Sequence, residues 1–110
     1  MKRSVSGGDA LLRRALACMR AHAYADAVYC LRRYLAHPDC VWADERCAAM
    51  LALARCHLQM HSRAEAERWI LRACGEAPDL PLPWQEAAAF YAPVSAQAAA
   101  FCRARASRLR

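Results

Sequence analysis

Apolar positions recur at helical spacing in six runs, separated by short breaks that contain proline, serine or histidine. Asp9 is placed to cap a first helix over about 10–21. A second helix runs from about Tyr24 to Ala36 and stops at His37–Pro38, because the residue before proline avoids helical geometry. A third spans about 41–60. Ser62, with Glu65 three residues on, has the form of a capping box that opens a fourth helix over about 63–75. Pro78, Pro81 and Pro83 stiffen the next connection, and Pro83 fits the first turn of a fifth helix ending at Tyr91 or Ala92. Pro93 stops that helix, and Ser95 caps a sixth from Ala96 toward Arg108. The expected fold is all-α, with six helices in about three antiparallel hairpins. A single domain covers 9–107, preceded by a lead-in at 1–8 expected to be disordered and followed by a basic tail end at 108–110.

The hairpins repeat. Met50 and Trp84, Ala54 and Ala88, His57 and Tyr91, and Ala66 and Ala100 are each 34 residues apart. An offset of 39 relates Leu11 to Met50, Ala15 to Ala54, Cys18 to His57 and Ala27 to Ala66. The five extra residues fall in the 37–46 connection, where an insertion costs little. The third hairpin carries Trp84, Ala87, Ala88 and Tyr91, then Ala100. The second carries Met50, Leu53, Ala54 and His57, then Ala66, Ile70, Ala73 and Pro78. The first carries Leu11, Ala15 and Cys18, then Ala27, Leu31 and Pro38, with Arg14 and Tyr34 departing from the pattern. In this the chain resembles the tetratricopeptide repeat family, whose motif is W-x2-L-G-x2-Y followed by small, large and small residues and a closing proline. The resemblance covers residues 9 to about 107 and implies a short right-handed superhelix. Small residues such as Ala54 and Ala66 would let paired helices approach closely, and Leu53, Ile70 and Leu71 would fill the space between hairpins. A finer likeness lies in Trp42-Ala43-Asp44-Glu45-Arg46, Glu76-Ala77-Pro78 and Pro83-Trp84-Gln85-Glu86-Ala87. These are similar to repeat segments that accompany bacterial family-2 glycosyltransferases, which would make the chain a detached or truncated module of such a protein.

Composition supports helix and narrows the chemistry. Alanine supplies 27 of 110 positions, asparagine and threonine are absent, and β-branched residues are few. The net charge of +6 comes from the ends: Lys2 with Arg3, and Arg103, Arg105, Arg108 and Arg110. Between Ser4 and Cys102 arginines and acids balance, so no basic stripe crosses the body and a nucleic-acid partner is disfavoured. Seven cysteines, an odd number within helix-patterned runs and with no apolar leader before them, point to free thiols in a reducing, cytoplasmic setting. The longest uncharged run, 87–102, is broken by Pro93 and is too short to span a bilayer.

No catalytic constellation emerges. His57 and His61 share a helix face at a metal-pair spacing, but no glutamate follows His57, and His57 holds the packing position of Tyr91. No C-x2-C or C-x4-C spacing occurs, a Cys18–His22 pair has no oxyanion feature beside it, and no phosphate-binding glycine motif is present. A metal- or thiol-dependent helical protein is therefore a secondary reading, and no cofactor is expected. The primary one is a non-catalytic module that binds a peptide or helix of a partner protein. The family resemblance implies a groove lined by the first helix of each pair: Leu12, Arg13, Leu16, Met19 and Arg20, then Leu51, Arg55, Leu58 and Gln59, then Gln85. Its arginines would complement an acidic ligand. The last helix, with Ala98, Ala99, Phe101 and Cys102, lacks a solvating helix after it, so self-association through that helix is a further expectation.

Overall fold

The computed structural model describes residues 7–109, and within them the chain is all-helical, without strands. Six helices follow in order: α1 (Gly7–Arg20), α2 (Tyr24–Ala36), α3 (Ala43–Gln59), α4 (Arg63–Glu76), α5 (Pro81–Tyr91) and α6 (Ala96–Arg108). Residues 1–6 of the expected lead-in and Arg110 of the expected tail lie outside the described residues, whereas Gly7 and Gly8 form the first turn of α1. Asp9 consequently sits inside that turn rather than before it, where a carboxylate still favours the positive end of the helix dipole. Pro81 opens α5 and Pro83 lies in its first turn, so only Pro78 of the three prolines belongs to the connection.

α1 packs on α2, α3 on α4 and α5 on α6, and the pairs join through α2 against α3 and α4 against α5, with α3 also touching α5. The centre of this stack is α3. Cys47, Ala49, Met50, Leu51, Ala52, Leu53, Ala54 and Cys56 are all buried, so the helix is apolar around most of its circumference, as a helix enclosed by neighbours must be. Leu31, Leu53 and Ile70 fill the interior, but Leu71 is 50% exposed and does not act as a filler.

The first two pairs turn in the same way. α1 ends with His22 N–H donating to Met19 O at 3.0 Å and Ala23 N–H to Cys18 O at 2.8 Å. α3 ends with His61 N–H donating to Leu58 O at 3.0 Å and Ser62 N–H to His57 O at 2.8 Å. Both are Schellman stops, and the residue that must adopt left-handed geometry is histidine in each, His22 at φ 60° and His61 at φ 62°. Ala23 and Ser62 then have nearly the same backbone angles, and the Ser62 hydroxyl makes no cap bond. The capping box expected there does not form: the Glu65 carboxylate binds Arg68 instead, at 3.1 Å. The third turn has no positive φ. There Val94 and Ser95 N–H donate to Tyr91 O, and Ser95 Oγ accepts from Ala98 N–H at 3.1 Å as a true cap.

The small residue of each second helix falls at its fourth position: Ala27, Ala66 and Ala99, none more than 1% exposed. The residue that the sequence spacing matched to Ala66 was Ala100, and it is exposed. The third connection is one residue shorter, with Ala99 eight residues after Tyr91 where Ala66 follows His57 by nine, and one residue rotates a side chain by about 100° around a helix. Ala15, Ala54 and Ala88 on the first helices are buried as their spacing requires.

The inserted 37–42 connection is held from inside. Arg46 Nη1 donates to Leu35 O at 2.9 Å and to Cys40 O at 3.2 Å, and its Nε donates to Glu76 Oε2 at 3.0 Å. One guanidinium thereby satisfies a carbonyl left open at the end of α2, fixes the connection and ties α3 to the end of α4. Tyr34, which stands where the second pair has Ala73, is buried beside Cys40; burial pushes the tyrosine pKa up to about 12.

Candidate functional site

α3 and α5 present a shared cleft of about 210 Å³, lined by Leu51, Ala54, Arg55 and Leu58 from α3 and by Glu86, Ala89 and Phe90 from α5. Arg63 and Ile70 of α4 and Pro93 close its sides. Both arginines are already engaged. Arg55 Nη2 and Nε reach Glu86 Oε1 at 2.8 and 3.2 Å. Arg63 Nη2 donates to Phe90 O at 3.1 Å, with its guanidinium 4.2 Å from the Phe90 ring centroid. The carboxylate neutralises Arg55 and the ring covers Arg63, so the cleft offers aliphatic and aromatic carbon with little free charge.

Of the residues expected to line a groove, the fold brings Leu51, Arg55 and Leu58 together here, although Leu51 itself is only 1% exposed. Leu12 and Met19 are half-buried against the core, and Arg13, Leu16 and Arg20 are exposed on α1 without lining the cleft. Gln59 is exposed at the end of α3. Gln85 borders a different hollow, of about 350 Å³, with Ala88, Ala92, Arg103, Ala106 and Ser107 on the last helix pair. Gln85, Arg103 and Ser107 stand there at the positions Leu51, Ile70 and Cys74 hold in the preceding pair. On α6, Ala99 and Cys102 are buried and Phe101 is 61% exposed.

The histidines separate. His57 faces a cleft between α2 and α4, while exposed His61 ends α3 as its left-handed residue. Among the described residues no group of three or more histidine, cysteine or acidic side chains is placed to hold a metal ion. Six thiols are buried and Cys18 is half-buried. Burial raises the pKa of Cys30, Cys40, Cys47, Cys56 and Cys102, and that of Cys74 to about 11, because a thiolate loses its hydration there. Such thiols stay protonated and weakly nucleophilic at neutral pH. Among the described residues no helix is long and apolar enough to cross a membrane.

A second type of cleft was not anticipated. Arg32 of α2, His57 of α3 and Glu65, Arg68, Trp69 and Arg72 of α4 surround about 400 Å³. The neighbouring cleft, of about 450 Å³, is lined by Leu71 of α4, Trp84 and Tyr91 of α5, and Ser95, Ala98 and Phe101 of α6. Extending the repeat offsets from first helices to the exposed positions of the second helices would have singled out these residues. Comparison with family models, with curated proteins and with solved structures finds no match.

Proposed function

We propose that the chain is a non-catalytic interaction module, built as a short tetratricopeptide-like superhelix, that binds a peptide or single helix of a partner protein in the α3–α5 cleft. The observation that carries this reading is the cleft itself, where Leu51, Leu58, Ala89 and Phe90 converge beside Arg55, paired with Glu86, and Arg63, held against the Phe90 ring. An apolar groove with few free charges suits the apolar stripe of an amphipathic helix, whose side chains recur every third or fourth residue. Supporting it are the matched Schellman stops of the first two pairs and the buried alanine at the fourth position of all three second helices. Those features are what stacked identical hairpins require: the same turn and the same close approach in successive units. Because Arg55 is paired with Glu86, the cleft selects its ligand by shape and apolar contact rather than by negative charge.

Panning a displayed random-peptide library against the full chain, followed by NMR titration of the selected peptides, tests the reading. Shifts should concentrate on Leu58, Ala89 and Phe90. Ala89→Arg, at an exposed position, should weaken binding at least about tenfold without changing the melting curve, since one lost apolar contact plus a blocked groove exceeds about 1.4 kcal/mol. Selected peptides that shift other faces and ignore Ala89→Arg would overturn it.

A further inference from the structure

The two clefts along the second helices are the same structural position with opposite chemistry. An offset of 39 carries Arg32 to Leu71, 34 carries His57 to Tyr91, and 33 carries Glu65, Arg68 and Trp69 to Ala98, Phe101 and Cys102. In the first cleft three guanidinium groups face one carboxylate. Arg32 makes no ion pair among the described residues. Arg72 stands over the Trp69 ring, its guanidinium carbon 4.5 Å from the ring centroid, and a guanidinium can hold such a ring contact while its N–H groups bind a carboxylate. The Arg68–Glu65 bridge is exposed and three residues apart on one helix, the kind of pair that an incoming anion displaces at little cost. In the second cleft the corresponding walls are Leu71 and Phe101, 50% and 61% exposed, with Trp84 edge-to-face against Phe101. α4 is the shared wall: Arg68 and Arg72 serve one side, Leu71 the other.

We propose that this pair of clefts binds one acidic segment of a partner protein, its carboxylates on Arg32, Arg68 and Arg72 and a bulky apolar side chain beyond α4 against Leu71 and Phe101. A helix is about 10 Å across, so an extended segment crosses α4 in about three residues. Charge complementarity selects the acidic half, and the exposed aromatic and aliphatic pair selects the other. A nucleic acid fits less well. The aromatic faces are already taken: Arg72 stands over Trp69, which is 9% exposed, and Arg105 stands over Trp84 at 5.4 Å, so the rings offer little face for a base to stack on. The inference shares the interaction-module reading but uses a separate surface, so either can fail alone.

The test is fluorescence anisotropy at low salt with a labelled synthetic peptide: a run of glutamates, a short spacer and a tryptophan. Arg32→Glu and Arg72→Glu should each weaken binding at least about tenfold, as loss of a charge-assisted contact and its reversal do. Arg32→Lys should recover part of it. Phe101→Ser should weaken the tryptophan peptide and leave a serine-substituted peptide unchanged, which assigns the second cleft. Arg13→Glu on α1 should have no effect, and unchanged melting curves will show that the variants fold. Absence of binding at low salt, or loss of binding with Ala89→Arg instead of Arg32→Glu, would overturn the proposal. So would an oligouridylate that binds more tightly and responds to the same reversals.

Discussion

His61 allows the helix-stop geometry to be tested with one substitution. Its φ of 62° lies in the left-handed region, which costs a residue with a side chain about 1–2 kcal/mol. Histidine tolerates that region better than most, which places it at the low end of the range. Glycine removes the cost but adds unfolded-state freedom worth about 0.5–1 kcal/mol. His61 is exposed, so little packing is lost. The net gain for His61→Gly is therefore at most about 0.5 kcal/mol, or up to about 4 °C in Tm for a domain of this size. His22→Gly should gain less, because the His22 ring stacks on Tyr24 at 5.7 Å and that contact disappears. His61→Val should lose about 1 kcal/mol or more, since a β-branched residue is strained there. Thermal and urea melts followed by circular dichroism at neutral pH give all three values. If valine matches glycine at position 61, the left-handed stop is not what histidine supplies.

Further consequences follow from burial and bonding. Gly75 lies within α4 and a Cβ added there meets nothing within 4 Å, so Gly75→Ala should raise stability by about 0.5 kcal/mol in the same melts. Ala99→Leu should cost about 1–3 kcal/mol by overpacking, while Ala100→Leu should stay within about 0.5 kcal/mol of the parent; equal effects would mean the α6 register is wrong. Arg46→Met removes three hydrogen bonds and leaves Glu76 part-buried without its partner, an expected loss of about 1–3 kcal/mol in urea melts. Under native conditions a thiol-reactive dye should label Cys18 well ahead of the six buried cysteines. Stability should hold below about pH 9 and fall between pH 9 and 12. Cys74 titrates near 9 when unfolded but about 11 when folded, and Tyr34 and Tyr91 near 10 and about 12, so alkali ionises the unfolded chain first. A flat stability profile over that range would contradict the burial of these groups.

Helix existence and order were legible in the sequence because periodicity and capping are local. Each run needs only its own residues to declare an apolar stripe, and Pro93 or Ser95 acts within one turn of itself. The buried alanines of the first helices were legible for a related reason: Ala15, Ala54 and Ala88 recur because close approach tolerates nothing larger. What depended on the turns was not legible. Ala99 rather than Ala100 is buried because the path from Tyr91 into α6 is one residue shorter than that from His57 into α4, and a single residue moves a side chain to another face. Ser62 looked like a cap, yet the histidine stop before it sets its backbone to the Ala23 angles, where its hydroxyl makes no cap bond. Arg55 and Glu86, Arg46 and Glu76, and Arg32 and Arg68 are far apart in the chain, and only the stacking of helix pairs decided which guanidinium would be neutralised and which would face a cleft. Sequence determines a helix because its hydrogen bonds close within four residues; a surface assembled from several helices has no such local rule, and its charge is settled only when they pack.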